Sequence, residues 1–452
     1  MFIEKIKSDG LAHLSYLVGD GAEACVIDPR RDCSIYIEKA RLKGAKITHI
    51  IETHRNEDLV SGAPILAKQT GAKVYHGPNP DGDVEYAKTI KDGNEFKLGN
   101  MSLRILETPG HTYDSISIAV FDENFHNGAV GVFTGDALFV GDVGRTDFYP
   151  DEAEKVAGLL YDSLQKLIKL GAQTIVYPAH GAGSVCGDNM AEREFSTIGH
   201  ELKNNDMLKI STREKFIKKK VAENHYIPQY FSLMEHLNLV GGSAINAVLI
   251  PPRIPPAKFN SKDVDFVLDV RSITSFGSAH IPNSLSLPHD MISAFAGYLL
   301  TESDSMFLIC DNANQAEDVA RHLARMGFDN VQGRLDGVVG LSTTGAKLEH
   351  LEFVDAATVR KRLNANKKDW DLLDVRSKNE FDKGHIDGAI HKYIGHIKDG
   401  LKDLNSKKSY TVMCGSGARA TIAASILKAN NFDRVDVFLG SMGAWQAAKG
   451  KS

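Results

Sequence analysis

The second half of the chain contains one sequence pattern twice. The stretch VLDVRSITSFGSAHIPNS begins at Val267, and a similar stretch, LLDVRSKNEFDKGHIDGA, begins at Leu372. Three residues return 105 positions later, so that Asp269, Arg271 and His280 correspond to Asp374, Arg376 and His385. In each copy an apolar run, MFLIC or YTVMC, precedes an amphipathic stretch, as a β-strand precedes a helix. The repeat predicts two copies of one α/β module, which we place at residues 258–350 and 354–452.

A proline-rich segment separates this repeat from the first part of the chain. PPRIPP at residues 251–256 holds four of the 14 prolines, and such a segment is stiff and extended. Before it, residues 1–185 alternate β-branched runs with helical stretches, whereas residues 190–240 show helical patterns without strands. At 452 residues, with 42% hydrophobic and 25% charged residues, the chain can form about three globular units. We therefore expect a first domain over residues 1–250 that ends in a helical extension at about 190–240.

The two copies of the repeat differ at the loop that follows the apolar run. In the second copy this loop reads CGSGAR from Cys414 to Arg419, and its small residues allow successive backbone N–H groups to point inward. Such a cradle at the start of a helix binds anions, lowers the pKa of a thiol and stabilises a negatively charged sulfur adduct. The first copy reads CDNANQ from Cys310, without the glycines or the arginine, and its acidic Asp311 raises a thiol pKa. We expect Cys414 to be reactive and Cys310 to be inert.

This repeat and its CGSGAR loop resemble the rhodanese sulfurtransferase family, whose loop cysteine carries sulfur as a persulfide. The resemblance covers residues 258–452 and implies two α/β rhodanese domains, a degenerate one followed by an active one. It implies that Cys414 is the nucleophile and that Arg419 stabilises the anionic sulfur. The loop residues between them would bind the substrate: Gly415, Ser416, Gly417 and Ala418. We expect the repeated Asp and Arg residues to be structural, because a buried acid and base satisfy each other.

Four apolar runs in the first domain each end at a potential metal ligand. ITHIIETH ends at His54, LRILETPGH at His111, AVGVFTGD at Asp136 and TIVYPAH at His180. Strands that lie side by side and stop at the same edge bring their last residues together, even across 126 positions of sequence. These residues therefore predict a metal site at one edge of a sheet.

The segment around His54, THRNEDL followed by Gly62, resembles the His-x-His-x-Asp-His signature of the metallo-β-lactamase superfamily. The resemblance implies that the N-terminal domain is an αββα sandwich. It also implies that five residues are at ligand positions of the superfamily: His54, Asp58, His111, Asp136 and His180.

Two positions of the signature are changed in this chain. Asn56 and Leu59 stand where the superfamily has histidines, so a second metal would retain only Asp58 and His180. Those two residues either hold a second metal or orient the other ligands by hydrogen bonds. The complete set that remains consists of His54, His111 and Asp136. Two histidines and one carboxylate leave three open positions, which suits non-haem Fe(II) that binds substrate and O₂ together.

The same three ligands resemble the persulfide dioxygenase branch of this superfamily. The resemblance implies one Fe(II) per chain, with zinc as the alternative metal. GDVGRTDF at residues 141–148 also resembles that branch and its glyoxalase II relatives. Within it, Arg145 is either a solvated surface charge or a binding residue for a carboxylate or phosphate of the thiol substrate. Cys186, in HGAGSVCGDN, is either a small residue in a glycine-rich turn or a relay for sulfur.

Together the resemblances imply an enzyme that oxidises a low-molecular-weight thiol persulfide with O₂ to sulfite. Sulfur transfer through Cys414 would then convert sulfite to thiosulfate. Two other functions remain open: a glyoxalase II-like thioester hydrolase with two metal ions, and a sulfur-binding or sensing scaffold without turnover. The sequence leaves open whether the thiol is glutathione, coenzyme A or another carrier.

Composition excludes several other classes of partner. The net charge is −5 and the only basic cluster is the short stretch Lys215–Lys220, so we expect no nucleic acid partner. No apolar run reaches the roughly 18 residues that span a bilayer, and the start MFIEKIKSDG resembles no secretory leader, so we expect a cytoplasmic protein without a membrane partner. The five cysteines are sparse and odd in number, which argues against a disulfide framework. Assembly into a homo-oligomer is left open.

Overall fold

The computed structural model describes residues 1–80, 82–125, 128–184, 190–223, 225–243, 250–365 and 368–449. The chain forms two compact units, Met1–Asn246 with Ala324–Gly327, and Ala247–Leu323 with Phe328–Ser452. Both units combine helices with β-sheets, so the predicted α/β multidomain class is confirmed. Among the helices of the described residues, none is both long and apolar enough to cross a bilayer.

The N-terminal unit contains two six-stranded sheets, in each of which the strands that are consecutive in the chain are neighbours. The first sheet consists of β1 (Phe2–Ser8), β2 (His13–Asp20), β3 (Glu23–Ile27), β4 (Lys46–Glu52), β5 (Lys73–His76) and β6 (Lys88–Thr89). The second consists of β7 (Glu95–Leu98), β8 (Met101–Glu107), β9 (Ile116–Asp122), β10 (Gly131–Gly135), β11 (Ile175–Pro178) and β12 (Ser196–Thr197). The helices are α1 (Ser34–Leu42), α2 (Ala63–Thr70), α3 (Ala153–Ile168), α4 (Ile198–Asn204), α5 (Arg213–Val221) and α6 (Phe231–Val240).

The side-chain pattern of strand β2 shows why these elements stack in four layers. Tyr16 and its neighbours two residues away pack between the two sheets, where they contact residues of the second sheet such as Phe133. Leu17 points the other way, into a cluster with Tyr36 of α1. On the outer face of the second sheet, Leu164 and its neighbours on α3 complete a third apolar cluster. The predicted αββα sandwich is therefore confirmed.

The extension predicted to be purely helical contains one short strand. Strand β12 pairs antiparallel with β11, through Val176 with Ser196 and Ile175 with Thr197. This pairing covers the backbone groups that β11 would otherwise expose at the edge of its sheet. A strand of two residues is too short to show the alternation by which strands are recognised in a sequence.

The C-terminal unit contains both copies of the repeat. The first copy consists of β13 (Phe266–Asp269), α7 (Ile273–Ser278), β14 (Leu285–Ser286), α8 (Ile292–Leu299), β15 (Met306–Cys310), α9 (Ala313–Arg325), β16 (Val331–Asp336) and α10 (Val339–Ser342). The second consists of β17 (Glu352–Val354), α11 (Ala356–Asn364), β18 (Trp370–Asp374), α12 (Lys378–Lys383), β19 (Ile390–His391), α13 (Ile397–Gly400), β20 (Ser409–Met413), α14 (Ala418–Ala429), β21 (Val435–Phe438) and α15 (Ser441–Lys449). The parallel sheets have the orders β14-β13-β15-β16 and β17-β21-β20-β18-β19, so the two copies share four strands in the same arrangement.

Short 3₁₀ helices lie in both units, at Pro150–Glu152, Pro256–Lys258, Ser261–Asp263, His289–Met291, Ile394–His396 and Leu401–Asp403.

Helix α14 is enclosed by both copies. Every residue from Ala420 to Leu427 is buried, which is unusual because a surface helix normally has a polar face. One side packs on strands β20 and β21 of its own sheet, and another packs on β14 and α7 of the first copy. The backbone N–H of Ser286 donates to the hydroxyl of Ser425 at 3.1 Å, which fixes one point of this contact.

Candidate metal centre and cysteine loop

The four predicted ligands lie at the ends of strands, but these strands belong to both sheets. His54 follows β4 of the first sheet, whereas His111, Asp136 and His180 follow β8, β10 and β11 of the second. All four side chains are buried. The prediction that they share one sheet edge is therefore wrong, and the ligands instead meet where corresponding ends of the two stacked sheets face each other.

Three of these residues direct ligand atoms at one point. Oδ2 of Asp136 lies 3.8 Å from Nε2 of His54 and 3.5 Å from Nε2 of His111. Metal–nitrogen bonds of about 2.0–2.1 Å place neighbouring ligand atoms on the order of 3 to 3.5 Å apart, so little contraction is needed to hold an ion. Among the described residues, Nε2 of His54 is buried and has no hydrogen-bond partner. The donor set therefore fits one divalent metal.

Hydrogen bonds on the far side of both imidazoles fix which nitrogen faces the centre. Nδ1 of His111 lies 3.0 Å from the carbonyl oxygen of Arg145, which can only accept, so this nitrogen carries a proton. The hydroxyl of Thr53 donates to Asp28 at 2.8 Å, and it therefore accepts from Nδ1 of His54 at 2.9 Å. In the neutral tautomers both Nε2 atoms then present lone pairs to the centre, as metal binding requires.

The buried carboxylates make the centre attractive to a cation. Burial disfavours a charged His54, but the carboxylates of Glu57, Asp136 and Asp28 outweigh it and raise the pKa of His54 to about 9. Burial also opposes ionisation of Asp136, yet the neighbouring histidines His180, His54 and His111 lower its pKa below the usual value. The protein thus favours positive charge at this position before any ligand is considered.

Glu57 belongs to the same cluster, and the sequence analysis missed it. Its Oε1 lies 3.1 Å from Nε2 of His111, and its Oε2 lies 3.7 Å from Nε2 of His54. One ligand atom from each of His54, Glu57, His111 and Asp136 lies within 4.8 Å of every other. The available signal was an acidic residue three positions after His54 inside the altered signature.

Asp58 and His180 lie beside this cluster, behind Asp136. Nδ1 of His180 contacts the Asp136 carboxylate at 2.8 and 3.0 Å, and its Nε2 lies 3.1 Å from Oδ2 of Asp58. Burial raises the pKa of Asp58, whereas that of Asp136 is lowered. His180 thus links two carboxylates and orients Asp136 by a hydrogen bond.

Helix α6 holds the loop that carries these residues. The amide of the buried Asn238 donates to the carbonyl oxygens of Asn56 at 2.7 Å and Leu59 at 2.8 Å, and accepts from the N–H of Ser61 at 2.8 Å. The hydroxyl of Tyr230 donates to the carbonyl oxygen of Asp58 at 3.1 Å. The helical extension therefore fixes the backbone on either side of the two altered positions.

A cavity of about 190 Å³ leads to Glu57. Its lining includes the aromatic rings of Phe148, Tyr149 and Phe231, one cation, Arg55, and the carboxylates of Glu57 and Glu235. Nη2 of Arg55 lies 3.3 Å from Oε1 of Glu235 on α6. The cavity therefore combines aromatic walls with one cation that is already paired with carboxylates, Glu235 at its rim and the buried Asp114.

The second candidate site is the loop between β20 and α14. Cys414 is buried at the end of its strand, and the backbone N–H of Gly417 donates to its Sγ at 3.1 Å. Gly417 has a φ of +123°, a conformation that glycine adopts most readily. The carbonyl oxygens of the loop accept from the N–H groups of Gly440, Met442 and Gly443, which directs them away from the sulfur. Among the described residues the Gly417 amide is the one recorded donating to the sulfur, so the wider cradle of inward amides stays a prediction.

Arg419 reaches this loop from the first turn of α14. Its guanidinium donates twice to the carboxylate of Glu380, at 2.6 and 2.7 Å. Burial opposes ionisation of Glu380, but the pairing with Arg419 lowers its pKa to about 2. Glu380 also caps its own helix through Ser377. The pair therefore fixes Arg419 beside the loop, as a bidentate contact does.

Comparison with known families covers most of the chain. Residues 8–180 match the metallo-beta-lactamase superfamily, and residues 256–338 and 355–448 each match the rhodanese-like domain. The chain joins a metallo-beta-lactamase superfamily domain to two rhodanese-like domains. These matches and the buried ligand cluster identify it as an enzyme with a site for a divalent metal.

Individual relatives match parts of this architecture. A metallo-beta-lactamase structure from Staphylococcus aureus has 28% sequence identity and a TM-score of 0.67, and the match covers 74% of this chain and 98% of that one. A structure of ETHE1 from Myxococcus xanthus has 28% identity and a TM-score of 0.46, with 54% of this chain and 100% of that one covered. The hydroxyacylglutathione hydrolase of Tolumonas auensis is 33% identical over 168 residues, 36% of this chain. The chain spans 60% of the length of that relative.

The first rhodanese-like domain retains the scaffold of the second without its CGSGAR loop. Cys310 is buried, and burial together with Asp336 raises the pKa of its thiol to about 12. This agrees with the expectation that Cys310 is inert, although burial and Asp336 contribute more than the predicted neighbour Asp311. The repeated acid–base pairs bind each other in both domains: Arg271 with Asp269 and Arg376 with Asp374. The repeated histidines stack on phenylalanines: His280 on Phe276 and His385 on Phe381.

Arg145 of the metallo-beta-lactamase domain is buried rather than solvated. Its guanidinium donates to both carboxylate oxygens of Asp147 at 2.7 Å and lies 4.9 Å from the ring of Phe148. It lines a cavity of about 490 Å³ that is not the mouth leading to Glu57. The surface-charge interpretation is therefore wrong, and substrate binding by Arg145 stays a prediction. Cys186, the predicted sulfur relay, lies outside the described residues.

Proposed function

We propose that the chain oxidises a low-molecular-weight thiol persulfide to sulfite at one Fe(II), and uses Cys414 to transfer sulfur to sulfite. The first reaction, R-S-SH + O₂ + H₂O → R-SH + H₂SO₃, oxidises the terminal sulfur and reduces O₂. The observation that carries this proposal is the convergence of His54, His111 and Asp136, with Asn56 and Leu59 in the positions of two missing imidazoles. A centre of this kind favours a single iron over a pair of zinc ions.

Each residue of the metal centre has a role in this reaction. When bound, Fe(II) would supply the redox chemistry that activates O₂ toward the sulfur. The Nδ1 hydrogen bonds of His54 and His111 keep their ligand atoms directed at the centre. Phe148 and Phe231 narrow the cavity against water, and the apolar stem of a thiol substrate would pack against their rings.

Sulfur transfer would occur in the second rhodanese-like domain. The Cys414 thiolate attacks the terminal sulfur of a second R-S-SH, which forms the Cys414 persulfide and releases R-SH. Sulfite then attacks the outer sulfur, which forms thiosulfate and returns the Cys414 thiolate. The N–H of Gly417 and the guanidinium of Arg419 stabilise the negative sulfur in both steps.

Replacing His111 with alanine tests the oxidation step. We expect His111→Ala to abolish O₂ uptake with glutathione persulfide, because one of three protein ligands is lost. Transfer of sulfur from thiosulfate to cyanide should continue, since Cys414 is untouched. O₂ uptake at the wild-type rate in this variant would refute the assignment of the iron centre.

Replacing Cys414 with serine tests the transfer step. We expect Cys414→Ser to accumulate sulfite without thiosulfate, because the sulfur carrier is absent while oxidation proceeds. Cys310→Ser is the matched control and should leave the product ratio unchanged, because Cys310 lacks the CGSGAR loop and burial with Asp336 raises the pKa of its thiol to about 12. Unchanged thiosulfate output from Cys414→Ser would move the transfer chemistry to another thiol.

A thioester hydrolase is the second candidate, favoured by the hydroxyacylglutathione hydrolase relatives. Resemblance to the hydrolytic members of the superfamily implies two metal ions for this reaction. The second ion would have to bind near Asp58 and His180. Metal analysis of freshly purified protein separates the two proposals. Two zinc ions per chain with hydrolysis of a glutathione thioester would favour the hydrolase, whereas one iron per chain would favour the oxidase.

A further inference from the structure

Glu57 lies between the cavity that contains Phe148 and Phe231 and the cluster of metal ligands. It lines the cavity of about 190 Å³, and its side chain is only 8% exposed. Its two oxygens lie 3.1 and 3.2 Å from Nε2 of His111, the atom predicted to bind the metal. A carboxylate at that place faces the same point as the other ligands.

We propose that Glu57 is a fourth protein ligand to the metal and substitutes for the imidazoles that Asn56 and Leu59 do not supply. This inference rests on the metal of the proposed function, although it does not depend on the oxidation chemistry. The altered signature thus exchanges neutral nitrogen ligands for one anionic oxygen.

The charge balance of the buried centre supports a ligand role. Glu57 and Asp136 bring two negative charges into a site whose other ligand atoms belong to imidazoles. Buried charges are costly unless they are paired or bind a metal. The Nδ1–H groups of His111 and His54 point at the carbonyl oxygen of Arg145 and the hydroxyl of Thr53, so each Nε2 is the atom directed at the two carboxylates. One divalent cation neutralises both carboxylates and accepts both nitrogen lone pairs.

The competing interpretation is a simple ion pair between Glu57 and His111. It requires His111 to carry a proton on both nitrogens and therefore to be unable to bind a metal. The two interpretations predict opposite effects of removing the carboxylate. Loss of a ligand weakens metal binding, whereas loss of an ion-pair partner frees Nε2 of His111 and leaves metal binding equal or tighter.

A fourth ligand also limits what can bind at the open positions. In a six-coordinate ion, three protein ligands leave three positions, and four leave two. Two open positions would suffice for one sulfur donor and O₂. Glu57 would thereby favour a substrate that brings a single donor atom.

The test uses metal-free full-length protein titrated with Mn(II), with Co(II) absorption as a probe of coordination. Glu57→Gln and Glu57→Ala should weaken Mn(II) binding by about 10- to 100-fold, the range seen when metal sites lose a supporting group. Both should also change the Co(II) spectrum. Glu235→Gln is the control, because Glu235 lines the same cavity and is 60% exposed at the surface. Circular dichroism confirms folding of each variant.

Wild-type or tighter Mn(II) binding by Glu57→Gln would overturn the proposal. An unaltered Co(II) spectrum in Glu57→Ala would do the same. Failure of the proposed function is seen separately, because a wild-type protein that binds one metal ion but consumes no O₂ with any persulfide still permits this comparison of variants.

Discussion

Replacing Asn238 with aspartate should loosen the ligand loop from helix α6. The amide donates to two buried carbonyl oxygens and accepts one backbone N–H. Aspartate keeps the shape and the contact with Ser61, but it loses both donors and places a carboxylate against two carbonyl oxygens. Each lost buried hydrogen bond costs about 1 to 1.5 kcal/mol, so we expect a loss of about 2 to 3 kcal/mol. For a unit of this size each kcal/mol lowers Tm by about 2 to 4 °C, which gives a shift of about 4 to 12 °C.

Differential scanning calorimetry of the full chain measures this shift. Unfolding of the N-terminal unit is assigned to the transition that moves when Mn(II) is added, because only ligand binding to the folded state raises Tm. The matched control is Asn204→Asp, the same chemical change on an exposed amide that bonds only within α4. A shift for Asn238→Asp no larger than that of Asn204→Asp would show that these hydrogen bonds do not hold the loop.

Two further predictions concern the support of each site. Gly144→Ala places a Cβ 2.0 Å from the carbonyl oxygen of Asp136 and 3.2 Å from Cβ of His111. Because this crowding displaces two ligands, we expect the Mn(II) affinity to fall by about 10- to 100-fold although every ligand is retained. Unchanged affinity in a Mn(II) titration would contradict this. The pKa of Glu380 is lowered to about 2 by Arg419 against the opposing effect of burial, so its carboxylate stabilises the folded state above pH 4.5, and that contribution is lost as the pH falls toward 2. Trp370 and Trp445 are the two tryptophans of the chain, so their fluorescence should report acid unfolding of this domain, with a weaker pH dependence in Glu380→Gln; identical curves would refute the coupling.

Much of the metal centre could be predicted because its ligands lie at the ends of apolar runs. Strand periodicity located His111 and Asp136 after β8 and β10, and the signature located His54. Periodicity does not indicate which sheet a strand joins. The sequence therefore did not predict that His54 follows a strand of the first sheet while the other ligands follow strands of the second. That assignment depends on packing between β4 and the second sheet, which is a property of the tertiary structure.

The residues that the sequence did not reveal act through loop geometry or distant contacts. Glu57 lies in an irregular segment, where neither helical nor strand periodicity fixes the direction of a side chain. Asn238 contacts Asn56 across 182 positions, and nothing in its local sequence indicates a partner. The cysteine loop was easier to predict, because the pattern between β20 and α14 is continuous in sequence and its backbone direction follows from the small residues.

The burial of α14 gives a structural reason for the two rhodanese-like domains to stay together in one chain. The helix that starts at the Cys414 loop has no polar face of its own, and β14 and α7 of the degenerate copy cover the side that its own sheet leaves open. Without that copy, the side of α14 that β14 and α7 cover would be exposed to solvent, and exposed apolar surface promotes aggregation. The two rhodanese-like domains therefore share α14 as a common core helix.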